Sequence, residues 1–303
     1  MKQKVLIAVI LLFGLIGYAQ STQKSVPHQS IKVALDVVLV PVTVTDSQNR
    51  PVEGLHVENF HIWEDKVEEK IQYFSSEDTP VSLGLVFDTS GSMSTTLNAA
   101  RSAATTFLKT GNPEDEYFLV EFNNRPRLAQ NFTTDVGGLQ RDLVSREAQG
   151  YTAFLDAVYL ALENVRLGNY PRKALLMITD GEDNHSRYTL DDVKEMLKES
   201  DVQLYAIGTY LKPRSAGRAL LEELAEVTGG RAVFPDSIGD LEEICGQISL
   251  ELKSQYVLGY VPSNTTADGK WRKLRVRVNP PSGMSHVNVR ARAGYYATQT
   301  ADN

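Results

Sequence analysis

The 303-residue chain contains a single cysteine, Cys245. One thiol excludes an internal disulfide framework and a cysteine-built zinc site, so the fold must rest on its own apolar core. At this length such a core is attainable. Basic residues are also in deficit: 31 Lys and Arg face 38 Asp and Glu, a formal net charge of −7. That argues against a general nucleic-acid binder, which carries a basic excess. The chain lacks a Walker P-loop, a His-Glu-x-x-His helix and a Gly-x-Ser-x-Gly elbow, removing three common sequence signatures of phosphate binding and hydrolysis. No internal repeat or low-complexity tract is present. With 42% hydrophobic and 23% charged residues, the composition is that of a globular protein.

The N-terminus has a layout of its own. Lys2 and Lys4 precede an apolar run from Val5 to Ile16, followed by small residues at Gly17 and Ala19. This is the order of a secretory signal peptide, expected over residues 1–19. The run falls short of the about 20 residues of a transmembrane span, and no Cys follows it to suggest a lipoprotein anchor. The expected location is therefore secreted or periplasmic, with membrane contact only through this segment if it is not cleaved.

After the polar stretch Ser21–Ser30, Lys32–Asp46 alternates Val and Thr around Pro41, as in a strand at or near a sheet edge. HIWED and KIQYF are two further short strands, so residues 20–79 form a β-segment. From Val81 the pattern changes. Apolar strands at Val81–Phe87, Tyr117–Phe122, Ala174–Ile178, Val202–Ile207 and Arg231–Phe234 alternate with helical spacing at Leu155–Val165, Leu190–Leu197, Leu220–Val227 and Leu241–Leu252. Gly229–Gly230 offers a C-cap to the third of these helices. Near-continuously apolar strands between helices predict a Rossmann-like α/β domain over residues 80–253, with a doubly wound, mostly parallel sheet covered on both faces. Residues 254–303 return to β character in YVLGYVP, WRKLRVRV and HVNVRARAGYYA. Three strands on either flank are too few for an independent core. Pairing 254–303 with 31–75 would make one small β-sandwich interrupted by the α/β domain; the alternative is two separate β-appendages. The alternating basic face of WRKLRVRV (Lys273, Arg275, Arg277) invites a polyanion-binding reading, but the favoured one is the solvated outer side of a half-buried sheet.

The chemistry gathers around VSLGLVFDTSGS, where a strand-length apolar run ends on Asp88 and a loop carries Ser90 and Ser92. Thr152 in GYTAFLDA and Asp180 in LLMITDGEDN answer it. Asp88 and Asp180 each end a strand of the same predicted sheet, the edge at which open parallel sheets bind ligands. Two carboxylates and three hydroxyls are hard oxygen donors suited to Mg²⁺, with Ca²⁺ or Mn²⁺ as alternatives, and ill suited to zinc or copper. Neutral hydroxyl ligands leave the cation's charge largely uncompensated, so an acidic group from elsewhere can complete the site. Glu182 and Asp183 could tune its potential, although acidic residues after a strand are usually just solvated. His185 reads as a surface residue.

The DTSGS loop, the Thr of GYTAFLDA and the Asp of MITDGEDN together resemble the metal ion-dependent adhesion site of von Willebrand factor type A domains. The resemblance covers about Thr79 to Leu252. It implies that Ser90, Ser92 and Thr152 bind the ion directly and that Asp88 and Asp180 do so directly or through water. The flanks resemble a bacterial exported subgroup of von Willebrand factor A-related proteins. The function expected is an exported, cation-dependent binding module that takes a protein ligand through its Asp or Glu, with no catalytic residues, no nucleic acid and no small-molecule substrate. The alternatives are a metal-independent envelope assembly protein working through its β-region, and a Mg²⁺-dependent phosphotransferase. The latter normally has a second acid where this chain has Ser90.

Overall fold

The computed structural model describes residues 37–144, 147–180, 182–209, 215–281, 284 and 286–297. The expected signal segment and the polar stretch after it lie outside them. In chain order, β1 (Val38–Thr45), β2 (Phe60–Glu64), β3 (Val67–Glu69) and β4 (Ile71–Ser75) come first. The α/β region runs β5 (Val81–Asp88), α1 (Leu97–Thr110), β6 (Glu116–Phe122), β7 (Pro126–Thr133), α2 (Val136–Val144) and α3 (Phe154–Val165). It continues through β8 (Arg172–Thr179), α4 (Leu190–Lys198), β9 (Val202–Gly208), α5 (Ala216–Thr228), β10 (Arg231–Val233) and α6 (Leu241–Lys253). The chain closes with β11 (Tyr256–Tyr260), β12 (Trp271–Val278), β13 (Asn288–Ala291) and β14 (Gly294–Tyr296). Among the described residues no helix is long and apolar enough to cross a membrane.

The six-stranded central sheet has the order β10-β9-β8-β5-β6-β7. All its pairs are parallel except β6–β7. Every residue of β5, β6 and β9 is buried, as two-sided coverage requires. Alternate residues feed opposite faces. Leu83, Leu85 and Phe87 join a core with α1, α2 and α6, while Val86 packs with α3, α4 and α5. Cys245 is buried in the first core, where burial pushes its thiol up to about 12. Helix α5 stops on Gly229, which adopts φ +75°, the left-handed cap that glycine takes without strain.

The flanking strands interleave. One antiparallel sheet runs β13-β1-β11-β4 and the other β14-β12-β2-β3. Val40, Val42 and Val44 of β1, Phe60 and Ile62 of β2, Tyr256 and Leu258 of β11, and Leu274 of β12 share one core. The expected fold class is therefore present, with two differences in strand count. Val67–Glu69 adds a fourth strand before the α/β region, and HVNVRARAGYYA divides into β13 and β14, one in each sheet. Pro41 also sits differently from expectation. β1 is an interior strand, flanked by β11 over Val38–Val42 and by β13 over Val42–Thr45. Pro41 falls in the half that has a single neighbour, where a missing N–H is tolerated.

The α/β region and the sandwich are joined by buried polar contacts. Glu251 of α6 is fully buried at its side chain and pairs with Arg231 of β10 at 2.6 Å and Arg290 of β13 at 2.5 Å. Two residues beyond α6, the Gln255 amide nitrogen lies 3.0 Å from Thr43 Oγ1 in β1 and 2.7 Å from Gln203 Oε1 in β9. Removing one member of a buried ion cluster leaves the others charged and unpaired, at a cost of about 3–5 kcal/mol. Glu251→Ala should lose about that much stability in urea unfolding. A loss below about 1 kcal/mol would show that the cluster is solvated and does not tie the two regions.

Candidate functional site

In the central sheet the chain steps from β5 to β6 on one side and resumes at β8 on the other. The strand order thus reverses between β5 and β8, the point where open α/β sheets form a crevice at their carboxyl ends. Asp88 is the last residue of β5 and Asp180 the first after β8. The topology alone brings them side by side.

Asp88 is fully buried. Its Oδ1 accepts the Ser90 N–H at 2.8 Å and its Oδ2 accepts the Thr179 hydroxyl at 2.6 Å. Burial pushes its carboxyl up to about 6 against these hydrogen bonds, and the neighbouring Asp180 charge pushes the same way. Asp180 is half-buried, yet its Oδ1 is shut off from solvent with no hydrogen-bond partner among the described residues. Buried Ser90 places its Oγ 3.0 Å from Oγ of exposed Ser92. Thr152 is buried as well.

Backbone hydrogen bonds knit the carrying loops together. Gly91 N donates to Gly150 O at 3.0 Å and Gln149 N to Thr89 O at 2.9 Å, joining the loop after β5 to the one before α3. Thr89 N reaches Phe122 O and Ala153 N reaches Asn123 O, both at 2.8 Å, adding the loop after β6. Thr152 O accepts from Asn184 N at 3.1 Å and His185 N at 3.2 Å, while Thr152 N donates to Asn184 Oδ1 at 2.9 Å. Asp88, Ser90 and Ser92 are therefore linked directly, Asp180 through its charge, and Thr152 through its loop's backbone.

Several residues take roles that sequence did not assign. Thr179 holds Asp88, a contact invisible without knowing that β5 and β8 are neighbours. Asp183, expected to tune the site's potential, instead accepts Leu155 N at 2.9 Å with one oxygen and His185 N and Ser186 N with the other. It caps α3 and shapes the loop after β8, in keeping with the preference of helix starts for acceptors. Gly91 serves close approach: a Cβ there would lie 3.2 Å from Gly150 O. His185 stacks on exposed Tyr151, ring centres 5.2 Å apart.

The donor set fits a hard cation. Among the described residues no three His, Cys, Asp or Glu side chains come together, so an ion here would depend on hydroxyls as well as carboxylates. The Asp180 Oδ1 unpartnered among the described residues, next to the Asp88 carboxylate, is the polar atom such an ion would satisfy.

The family model for the von Willebrand factor type A domain matches residues 83–182, a span containing all five of these residues. No curated protein matches the chain. Among solved structures, von Willebrand factor type A from Catenulispora acidiphila is 12% identical at a TM-score of 0.53, over 85% of this chain and 73% of that one. Conserved hypothetical protein BatB from Bacteroides thetaiotaomicron is 19% identical at 0.48, over 57% and 100%. The vWF domain of the type V pili tip protein Mfa5 from Porphyromonas gingivalis is 13% identical at 0.49, over 58% and 97%. The family match and the first of these likenesses, which at its identity bears on fold alone, support a von Willebrand factor type A domain in the α/β region.

Gly150 holds φ +83°, and a Cβ there would lie 2.5 Å from Asn124 Oδ1, the acceptor of the Tyr151 N–H. Gly54 has a similar φ of +76° with nothing within 4 Å. Both alanine variants incur left-handed strain of about 1–2 kcal/mol. Gly150→Ala should cost about 1 kcal/mol more, because Asn124 must release its hydrogen bond. Equal losses in denaturant unfolding would show that the loop contact contributes nothing.

The Asp88 carboxyl, normally near 3.8 and here raised to about 6, is protonated in the folded protein across a window where the unfolded chain is ionised. Folding takes up a proton there, so this group's contribution falls as pH rises from about 4 to about 6, by about 3 kcal/mol in all. Without divalent ions, Asp88→Asn should unfold at higher denaturant than wild type at pH 8, and the gap should close by about pH 4. Equal midpoints at pH 8 would contradict it.

Proposed function

We propose that the site binds a divalent cation, Mg²⁺ foremost with Ca²⁺ or Mn²⁺ as alternatives, and that this cation is the attachment point for an Asp or Glu of a protein partner. Ser90, Ser92 and Thr152 would hold the ion directly, with Asp88 and Asp180 acting directly or through water. The observation that carries this reading is the Asp180 oxygen, buried and unpartnered beside buried Asp88. The Asp180 charge disfavours that of Asp88, and a cation lying between the two would make their closeness favourable. The ion would supply positive charge beside buried Asp88 and half-buried Asp180, which the three hydroxyls leave uncompensated.

The Ser90 N–H and the Thr179 hydroxyl fix the two Asp88 oxygens, and the loop contacts fix Thr152 and Ser90, so these three are held in place without an ion. Such preorganisation lowers the entropic cost of binding. A phosphotransfer reading has less support. The position two residues after Asp88 is Ser90, whose hydroxyl lies against Ser92, so the second acid of that chemistry is missing. The protein is read as a non-catalytic interaction module working outside the cytoplasm.

Calorimetric titration of the full chain with Mg²⁺, Ca²⁺ and Mn²⁺ tests the site. Wild type should give saturable heat and Asp180→Ala should bind at least about tenfold more weakly, a difference of about 1.4 kcal/mol. A folded wild type that binds none of the three, or an Asp180→Ala variant that binds equally well, would refute it. Partner capture should then require the ion and fail in chelator.

A further inference from the structure

At the edge of the central sheet opposite the candidate site, a cleft of about 1030 Å³ opens between the α/β region and the outer face of the β13-β1-β11-β4 sheet. Its two walls differ in chemistry. On the sandwich side, Val40 and Val42 enter the sandwich core, so Val37, Leu39 and Pro41 face the cleft, joined by Val257 of β11. The register sets Leu39 beside Gly259 and Pro41 beside Val257. A Cβ on Gly259 would lie 3.1 Å from Leu39 Cδ2 and 3.3 Å from Val37 Cγ1, so both side chains close over the bare glycine. Val37 and Leu39 nonetheless remain 47% and 44% exposed. Contiguous apolar surface in a groove is a feature of ligand sites, whereas scattered single side chains are not.

The α/β wall is polar, and it donates. Arg172 begins β8, and Gln203 is the second residue of the neighbouring β9. Gln203 is buried, 6% exposed. Its Oε1 accepts from Gln255 Nε2 at 2.7 Å, while its own Nε2 has no hydrogen-bond partner among the described residues. Arg172 donates through its two Nη atoms to Thr79 O, Leu252 O and Gln255 Oε1, and its Nε is buried without a partner among the described residues. The same holds for Nε of Arg292. Among the described residues, every buried side-chain atom along the cleft that lacks a partner is thus an N–H donor. The cleft's other cations are matched: Arg166, Lys198 and Arg292 pair with Glu163, Glu195 and Asp201. Arg172 has no carboxylate partner among the described residues.

We propose that this cleft binds a single-chain amphiphile bearing one carboxylate, of the fatty-acid class. Its alkyl chain lies on the wall of Val37, Leu39, Pro41 and Val257, and its carboxylate accepts from Gln203 Nε2 and Arg172 Nε. Buried donors without acceptors call for an acceptor, and a single unmatched cation calls for a single negative charge. Val37 to Pro41 spans about 13 Å of strand, the length of a medium alkyl chain. A peptide adding a strand to β1 fits less well. On the open side of that strand, Leu39 O is already taken by Arg292 Nη2 at 3.2 Å, and Pro41, two residues on, has no N–H. A polyanion would meet Glu199 and Asp201 beside just one unmatched cation. A cationic amphiphile would find its head group facing donors.

Calorimetric titration of the full chain compares laurate with acetate and dodecyltrimethylammonium below their micellar concentrations. Chelator is present throughout, so that neither the candidate cation site nor insoluble divalent soaps contribute. Laurate should bind saturably, and the other two at least about tenfold more weakly. Leu39→Asn puts a polar group on the exposed wall, and Gln203→Glu keeps the acceptor for Gln255 while replacing the donor with a carboxylate oxygen. Each should weaken laurate binding at least about tenfold, Leu39→Asn with an unchanged melting temperature. If Gln203→Glu does not fold, Leu39→Asn decides alone. Laurate taken up by the apolar run Val5–Ile16 instead would leave the folded variants binding like wild type. That result, no saturable binding, or equal binding of acetate or the ammonium probe would each overturn the proposal.

Discussion

A carboxylate with protein on all sides, whose neighbouring charge is a second carboxylate, is the constraint around which the α/β region is arranged. Burying one such charge without compensation costs several kcal/mol. Asp88 nevertheless ends a strand whose every residue is buried. The hydrogen bonds from Ser90 and Thr179 lower that cost without cancelling it, since the carboxyl remains raised to about 6. Two apolar cores, one on each face of the sheet, hold the strand where it is. The backbone bonds among the loops after β5, after β6 and before α3 keep the hydroxyls of Ser90, Ser92 and Thr152 from drifting away. Cores and loops together maintain a locally unfavourable arrangement, of the kind in which natural proteins depart from purely stabilising choices at functional sites.

The flanking sandwich does more than bracket this region. Its strands come from both ends of the chain, so it forms only when the α/β region between them lets β4 and β11 meet. The Glu251 cluster and Gln255 set that meeting in buried polar contacts that tolerate little slippage. Helix α6, which carries Glu251, also packs through Leu241, Cys245 and Ile248 into the same core as Met93 of the loop after β5. The sandwich and the site are thus mechanically continuous.

Much of this was legible beforehand, for identifiable reasons. Strands buried on both faces are written as unbroken apolar runs, so β5, β6, β8 and β9 stand out. Asp88 and Asp180 could be placed together because strand ends in a parallel sheet share one edge. What stayed hidden depended on pairings that no local pattern encodes. β7 begins with a proline and is half-exposed, as an antiparallel edge strand can be, and so carries no apolar run. The division of HVNVRARAGYYA between two sheets follows from Arg292 and Ala293 turning the corner, not from a break in hydrophobicity. Thr179 and Asp183 act on Asp88 and α3 across a distance that sequence spacing does not report.

The claim at the centre of this account is that one divalent ion lies among Asp88, Ser90, Ser92, Thr152 and Asp180. Crystals soaked in Mn²⁺ and measured at the manganese absorption edge test it most directly, because the anomalous signal locates the ion without assumption. The account predicts an anomalous peak bounded by the Ser90 and Ser92 hydroxyls and the Asp180 oxygen that now lacks a partner. A well-ordered loop cluster with no peak there, or with manganese bound only elsewhere, would contradict it.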